Sequence, residues 1–386
     1  MNDIEIVSGH PAIARLAPVW QQAEAQGRAQ AFQTFDLVVR AAKLADDSGA
    51  EPLVLVFRRD GVAASLMALR IERFVGARIG VPLVHPLAQY ADVVGADLDP
   101  HVFQRASALL AKRGVAALLL RKVRADSGLH AALAVYGRAQ NASDTALFID
   151  LGAYDTFDAY ERSFSSTTRR NRRQRRKKLE GLAGPLSFSV LRGSDALPAF
   201  DTAIEWKRAW LAARGISSPV FDGGAWEQLL RHMVASGQAV VSALSGRDTL
   251  LAAEIGIADD ETYIAYLGAF APEFSSGSPG QEQMLRTIAW CFERGITRYD
   301  LLAPADAYKR QWARKDTGVG IDDYMVALTT VGRGVAEVRR HVRPLARDLF
   351  LRLSPDVRVA GERYAKPAAT VAAAAVCASA VLVAIE

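Results

Sequence analysis

Two features recur in the same order at nearly the same separation, which limits this chain to folds that can be built twice. Arg59-Asp60 stands between the β-type runs LVLVF and VAASLMALRI, and Arg247-Asp248 stands in the same way between AVVSAL and LLAAEIGI. Both predict hairpins. Further on, LLAKRGVAALLL in the first half and WCFERGITRYDLL in the second each read as a helix stopped at Arg-Gly and followed by a strand. The glycine suits a left-handed C-cap. The hairpins are offset by 188 residues and the helix–strand pairs by 181. Each copy therefore runs helices, antiparallel hairpin, helix, strand, an α/β (α+β) order in which a mixed central sheet is flanked by helices.

At 386 residues the chain has room for two such domains. The expected boundaries are 1–150 for a degenerate first copy and 151–330 for the second, then basic helices over 331–366 and an apolar Ala-rich tail over 367–386. Hydrophobic residues at 50% and charged residues at 23% exclude a mainly disordered chain. Cys291 and Cys377 lie far apart in apolar contexts and form no disulfide framework, and the N-terminus MNDIEIVSGH has no secretory pattern. A cytoplasmic protein is expected. Ala368 to Ile385 is an uncharged stretch of 18 residues preceded by Arg358, Arg363 and Lys366. It is open to two readings, a packed or frayed apolar helix and a tail in contact with a membrane.

Basicity is local. The formal charge is +5, and without the eight cations between Arg169 and Lys178 it becomes −3. Serines and threonines before this run predict an N-capped helix. Arg169, Arg170 and Arg173 are candidate contacts to an anionic partner, whether a phosphate, a glycan or tRNA; a solvated helix is the other reading. The run carries no interleaved aromatics for base stacking.

Three further segments could carry chemistry. In YLGAFAPEFSSGSPGQEQMLRTIAW a strand passes through a Ser/Gly/Pro loop into a helix, so Ser278, Pro279, Gly280 and Gln281 form a candidate pyrophosphate cradle of backbone N–H groups; the same residues also make an ordinary turn. In RYDLLAPADAYKRQWARK, Asp300, Asp306, Tyr308, Lys309 and Trp312 crowd a strand end. Tyr308 is a candidate proton donor to a leaving thiolate and Lys309 a candidate stabiliser of negative charge; Asp300, Asp306 and Trp312 are candidate substrate contacts, with core packing the alternative for Trp312. Glu254 is a lone carboxylate in the apolar strand LLAAEIGI. Pointed into a cleft its pKa rises and it becomes a general base; pointed outward it is merely solvated. The six histidines show no metal-ligand spacing, so no metal is expected, and no GxSxG elbow is present.

From about Tyr160 to Leu328 the chain resembles the CelD/BioF-type acetyltransferases of the GNAT superfamily. The resemblance rests on RRNRRQRRKKLEG, the helices around Trp206 to Trp210 and Phe221 to Val234, the hairpin, Ser278-Pro279-Gly280, and YKRQW at Tyr308 to Trp312. The doubled arrangement is also similar to the FemAB-type transferases. This implies two tandem GNAT-like domains, with acetyl-CoA or another acyl-CoA as donor held around Ser278 to Gly280. It further implies N- or O-acylation of an amine or hydroxyl acceptor in envelope or exopolysaccharide biosynthesis. The FemAB likeness leaves open an aminoacyl-tRNA donor, and the tail leaves open a non-catalytic scaffold for polysaccharide assembly at a membrane.

Overall fold

A computed structural model of the protein describes residues 2–27, 31–74, 76–134, 144–313 and 317–340. The apolar tail 367–386, Cys377 and most of the expected basic helices lie outside the described residues; residues 330–340 are helical. The chain divides into two units. Unit 1 comprises Met1–Ser143, Arg214–Ile216 and Gly320–Glu386, and unit 2 comprises Asp144–Ala213 and Ser217–Val319.

In unit 1, strand β1 (Asn2–Ser8) is followed by helices α1 (His10–Ile13), α2 (Ala17–Glu24) and α3 (Phe35–Asp47), then by β2 (Glu51–Arg59), β3 (Val62–Phe74), β4 (Ala77–Pro82), β5 (Val94–Gly95), α4 (Pro100–Lys112), β6 (Ala117–Arg124) and α5 (His130–Ala134). The expected hairpin is β2–β3. It turns at Asp60-Gly61, one residue later than the sequence suggests, with both φ angles positive as a two-residue turn of this twist requires. α4 is capped by Asp99, whose side chain accepts from the backbone N–H groups of His101 and Val102, and is stopped by Gly114 at φ +78°.

Unit 2 contains β7 (Asp144–Asp150), α6 (Phe157–Arg162), α7 (Ser166–Ala183), β8 (Leu186–Leu191), α8 (Leu197–Ala212), α9 (Ala225–Ala235), β9 (Val240–Gly246), β10 (Thr249–Ala258), β11 (Thr262–Phe270), α10 (Pro279–Glu293), β12 (Arg298–Asp300) and α11 (Ala307–Ala313). Its second hairpin is β9–β10, with Arg247 at φ +51° in the turn, and α10 ends at Gly295, φ +71°. The basic run is α7, N-capped by Ser165 Oγ, which accepts from Thr168 N at 3.1 Å. The last strand among the described residues, β13 (Gly318–Ala327), has most of its length in unit 1.

Each unit has the same strand order. In unit 1 it is β1-β2-β3-β4-β6-β13, and in unit 2 it is β8-β9-β10-β11-β12-β7. Every neighbour is antiparallel except the fourth and fifth strands, β4 with β6 and β11 with β12, which run parallel. The sixth places differ in origin. Unit 2 takes β7, which precedes the rest of it and pairs with β12 (Asp150 opposite Arg298), whereas unit 1 takes β13, which pairs with β6 (Tyr324 opposite Leu120). A single cut at 150/151 therefore does not follow the strand pairing: β7 joins the later unit and most of β13 the earlier one.

Candidate active site

Strands β11 and β12 pair over three residues, Thr262–Ile264 against Arg298–Asp300, and no further. β11 continues to Phe270, bonded on its other edge to β10, so among the described residues the edge of its second half that faced β12 is left without a strand neighbour. The wedge so opened is a cleft of about 550 Å³ with Ala265, Gly268 and Ala269 on one side and Leu301 on the other. In unit 1 the equivalent strands part after Ile79 and Gly80, and there the chain returns on itself. Leu83 N donates to Ala68 O (3.1 Å) and Ala91 N to Lys122 O (3.3 Å), with Leu87, Tyr90 and Ala91 buried between.

Glu254 lies at the base of the unit 2 cleft, on β10 opposite Gly268. It is 5% exposed. Its Oε1 accepts hydrogen bonds from Tyr299 (2.6 Å) and Tyr263 (3.0 Å), while Oε2 faces Gly268, where an added Cβ would stand 3.9 Å away. The two tyrosines are register partners on the parallel strands and stack at 4.9 Å between centroids. Gly256 makes room for the first of them, since a Cβ there would fall 2.1 Å from the Tyr263 hydroxyl. Burial pushes the Glu254 pKa up from 4.5 to about 7, against the tyrosine and Gln283 hydrogen bonds, which favour the anion. Gln283 Nε2 in turn donates to Ser242 Oγ (2.7 Å) and Thr287 Oγ1 (2.8 Å), so the polar groups beneath the cleft are satisfied.

The mouth is formed by the start of α10 and by α11. Ser278, Pro279, Gly280 and Gln281 all line the cleft. Ser278 holds the left-handed conformation (φ 54°, ψ 54°) as N-cap, and Pro279 occupies the first turn, where a missing N–H costs nothing. Tyr308 and Lys309 reach the same cleft from α11. The Tyr308 hydroxyl donates to Met284 Sδ at 3.3 Å, and burial followed by the Glu254 charge raises its pKa, which keeps it protonated. Lys309 Nζ donates to Leu302 O at 3.1 Å, and burial lowers its pKa against the pull of Asp306, Asp300 and Asp144.

Three expected substrate contacts are corrected. Asp300 is 2% exposed, and its Oδ1 accepts from Leu302 N at 2.7 Å, holding the turn after β12. Asp306 lies at the start of α11, its Oδ1 accepting from Lys309 N at 2.9 Å, and does not line the cleft. Trp312 is 3% exposed in the unit 2 core, its ring beneath the Arg172 guanidinium at 4.3 Å. Among the basic residues, Arg170 and Arg173 point to solvent and Arg169 is partly covered. The arginines beside the Ser278 loop are Arg172, Arg175 and Arg176. Arg175 Nη1 donates to Gln281 Oε1 at 2.5 Å, and Arg176 pairs with the buried Glu282 at 2.9 Å. Their spacing with the buried Leu179 and Ala183 marks one helical face, which was readable from the two apolar positions. Tyr263, Tyr299 and Gln283, and the exposed rim residues Trp210 and Phe270, were not singled out from the sequence. Among the described residues no group of His, Cys, Asp and Glu is placed to hold a metal ion, and no helix is long and apolar enough to cross a membrane.

Residues 166–310 match the family of acetyltransferase (GNAT) domains. That segment is a GNAT-type acetyltransferase domain. That span contains α7, Glu254, the Ser278 loop and Tyr308-Lys309, the residues assembled around the cleft. The fold is that of FemX, with TM-score 0.56 at 11% identity over 84% of this chain and 98% of FemX. A conserved protein of unknown function from Bacteroides thetaiotaomicron superposes with TM-score 0.52 at 9% identity, covering 84% of this chain and 100% of its own. The C-terminal domain of a putative lysylphosphatidylglycerol synthetase from Agrobacterium fabrum gives 0.51 at 15%, covering 83% and 95%. These likenesses show a fold shared with FemX, and the strand order repeated in the two units makes it a doubled one. No curated protein matches the chain in sequence.

Proposed function

We propose that unit 2 transfers an acyl group from acyl-CoA to an amine or hydroxyl by direct attack, with Glu254 as general base. The observation that carries this reading is a single carboxylate at the base of a strand-edge cleft, with a pKa of about 7, on which two tyrosine hydroxyls fix one oxygen and leave the other toward the opening. A base poised near neutrality serves both proton uptake and release. The open edge of β11 supplies backbone groups for an extended chain of amides such as the pantetheine arm of CoA. The first turn of α10 offers the Gly280 N–H and the positive end of the helix to a pyrophosphate, with Arg175 and Arg176 alongside.

In the reaction the acceptor N–H or O–H gives its proton to Glu254 Oε2 as its nitrogen or oxygen bonds to the thioester carbon. The tetrahedral adduct collapses with loss of the C–S bond. Tyr308 supplies a proton to the departing thiolate and recovers one from solvent, while Glu254 releases its own. Lys309 lies where it can offset negative charge on the adduct. Similarity of the α7 and Ser278 segments to CelD-type proteins favours acceptors used in envelope or exopolysaccharide synthesis.

The test is thermal stability of the purified protein with CoA, acetyl-CoA and long-chain acyl-CoA. A ligand of the folded state raises the melting temperature, by an amount equivalent to about 2.7 kcal/mol at a hundred times Kd. A rise with the CoA compounds supports the donor assignment. No rise with any of them would move the assignment to an aminoacyl-tRNA or carrier-protein donor.

A further inference from the structure

We propose that the outer face of α7 docks the protein on an anionic lipid surface. The proposal does not rest on the acyl-transfer reading. The helix divides its cations between two faces. Arg172 faces Glu161 and lies over Phe164 and Trp312, while Arg175 faces Gln281 and Arg176 pairs with Glu282. Arg170, Arg173, Lys177 and Lys178 are exposed, and among the described residues none makes an ion pair or hydrogen bond through its side chain. Spacings of three and four residues put Arg170, Arg173 and Lys177 on one stripe of the helix, with Gln174 between them.

Glu180 is the helix's sole carboxylate, so four positive charges repel one another along the outward side with little internal relief. A planar array of negative headgroups removes that repulsion. Two observations favour lipid over nucleic acid. The helix carries no aromatic residue on which a base could stack. It does carry an exposed leucine, Leu182, 52% accessible and one turn beyond Lys178. One turn from the exposed Lys178, that side chain can enter the apolar boundary while the charges stay among the headgroups. The same chain holds, in sequence, the uncharged stretch Ala368–Ile385 behind Arg358, Arg363 and Lys366, and stable attachment to a bilayer takes two such signals.

The experiment is co-sedimentation of the full-length protein with vesicles of mixed phosphatidylglycerol and phosphatidylcholine, and with phosphatidylcholine alone, at low and high salt. Binding to the mixed vesicles that weakens with salt is expected, because exposed charges are screened over about 10 Å at 0.1 M. The triple variant Arg170→Glu/Arg173→Glu/Lys177→Glu should bind them at least about a hundredfold more weakly, since each basic residue near such a surface is worth about 1 kcal/mol and each is here reversed in sign. Its melting temperature monitors folding, and the milder pair Arg173→Ala/Lys177→Ala gives a smaller loss should the triple variant not fold. Equal binding to neutral vesicles, or unchanged binding by both variants, would overturn the proposal. So would salt-sensitive RNA binding by wild type without any vesicle binding.

Discussion

The Tyr299 hydroxyl donates to Glu254 Oε1 across 2.6 Å, from a strand that touches its parallel partner for three residues before the cleft opens. The short pairing thus does two things at once. It aligns Tyr299 with Tyr263 so that both hydroxyls converge on one carboxylate oxygen, and it ends soon enough to leave the other side of that carboxylate to a ligand.

Glu254 makes the fold sensitive to alkali. Its folded pKa, about 7, exceeds its ordinary 4.5, so between those values the folded protein binds more protons than the unfolded chain. Stability falls as pH rises through that window, by about 3 kcal/mol once the group is ionised. Glu254→Gln should therefore melt at a higher temperature than wild type above pH 7 while losing about 10²- to 10⁴-fold in turnover. Calorimetry at pH 5 and pH 8 with a steady-state assay checks both; a variant that keeps its rate removes Glu254 as the base.

Tyr299→Phe removes a hydrogen bond that favours the carboxylate. The wild-type rate should climb with pH to a plateau above about 7, and in the variant the climb should move to higher pH with a similar plateau. An unmoved profile would mean that the Tyr299 bond does not tune the base.

Tyr308→Phe leaves the ring and its packing in place and deletes only the hydroxyl. Turnover should fall by about 10²-fold or more, with donor Kd from direct titration little changed and the melting temperature little moved, since the hydroxyl's hydrogen bonds are to Met284 Sδ and Trp312 at a cleft mouth rather than in the core. Thioesters of more acidic thiols, which need less help in leaving, should lose less.

Gly277 holds α7 against the loop that opens into α10. A Cβ there would stand 2.9 to 3.2 Å from Leu179, its Cα included, so the helix and not merely a side chain must yield. Gly277→Ala should cost about 1–3 kcal/mol and weaken donor binding through displacement of Arg175 and Gln281. Chemical denaturation and titration with CoA measure the two effects separately.

Much of this was legible in the sequence, because local chemistry carried it. The hairpin turns, the left-handed glycines at 114 and 295, and the Ser165 cap obey rules that act within a few residues. The cleft residues Ser278 to Gln281, Tyr308 and Lys309 were found because loops and strand ends announce themselves by composition. Asp300 and Asp306 were misread by the same logic, since the polar residues that fasten a turn are the kinds that bind substrate, while Trp312 takes the core-packing reading of the two the sequence offered. Tyr263 and Tyr299 stayed hidden because their relation to Glu254 depends on strand register, which brings together residues 45 positions apart. The exchange of sixth strands was equally out of reach, for β7 and β13 are alike as strands and differ only in the sheet they complete.

That exchange makes unit 2 an insertion within the chain of unit 1. During synthesis the first 143 residues emerge without β13, so β6 waits with one edge bare while the whole of the second sheet is made. At 5–20 residues per second the wait is roughly 10–35 s. A nascent edge strand is an invitation to wrong partners. The domain bearing the cleft is complete on the ribosome before the domain that preceded it, and the older half depends on a strand made after both to close.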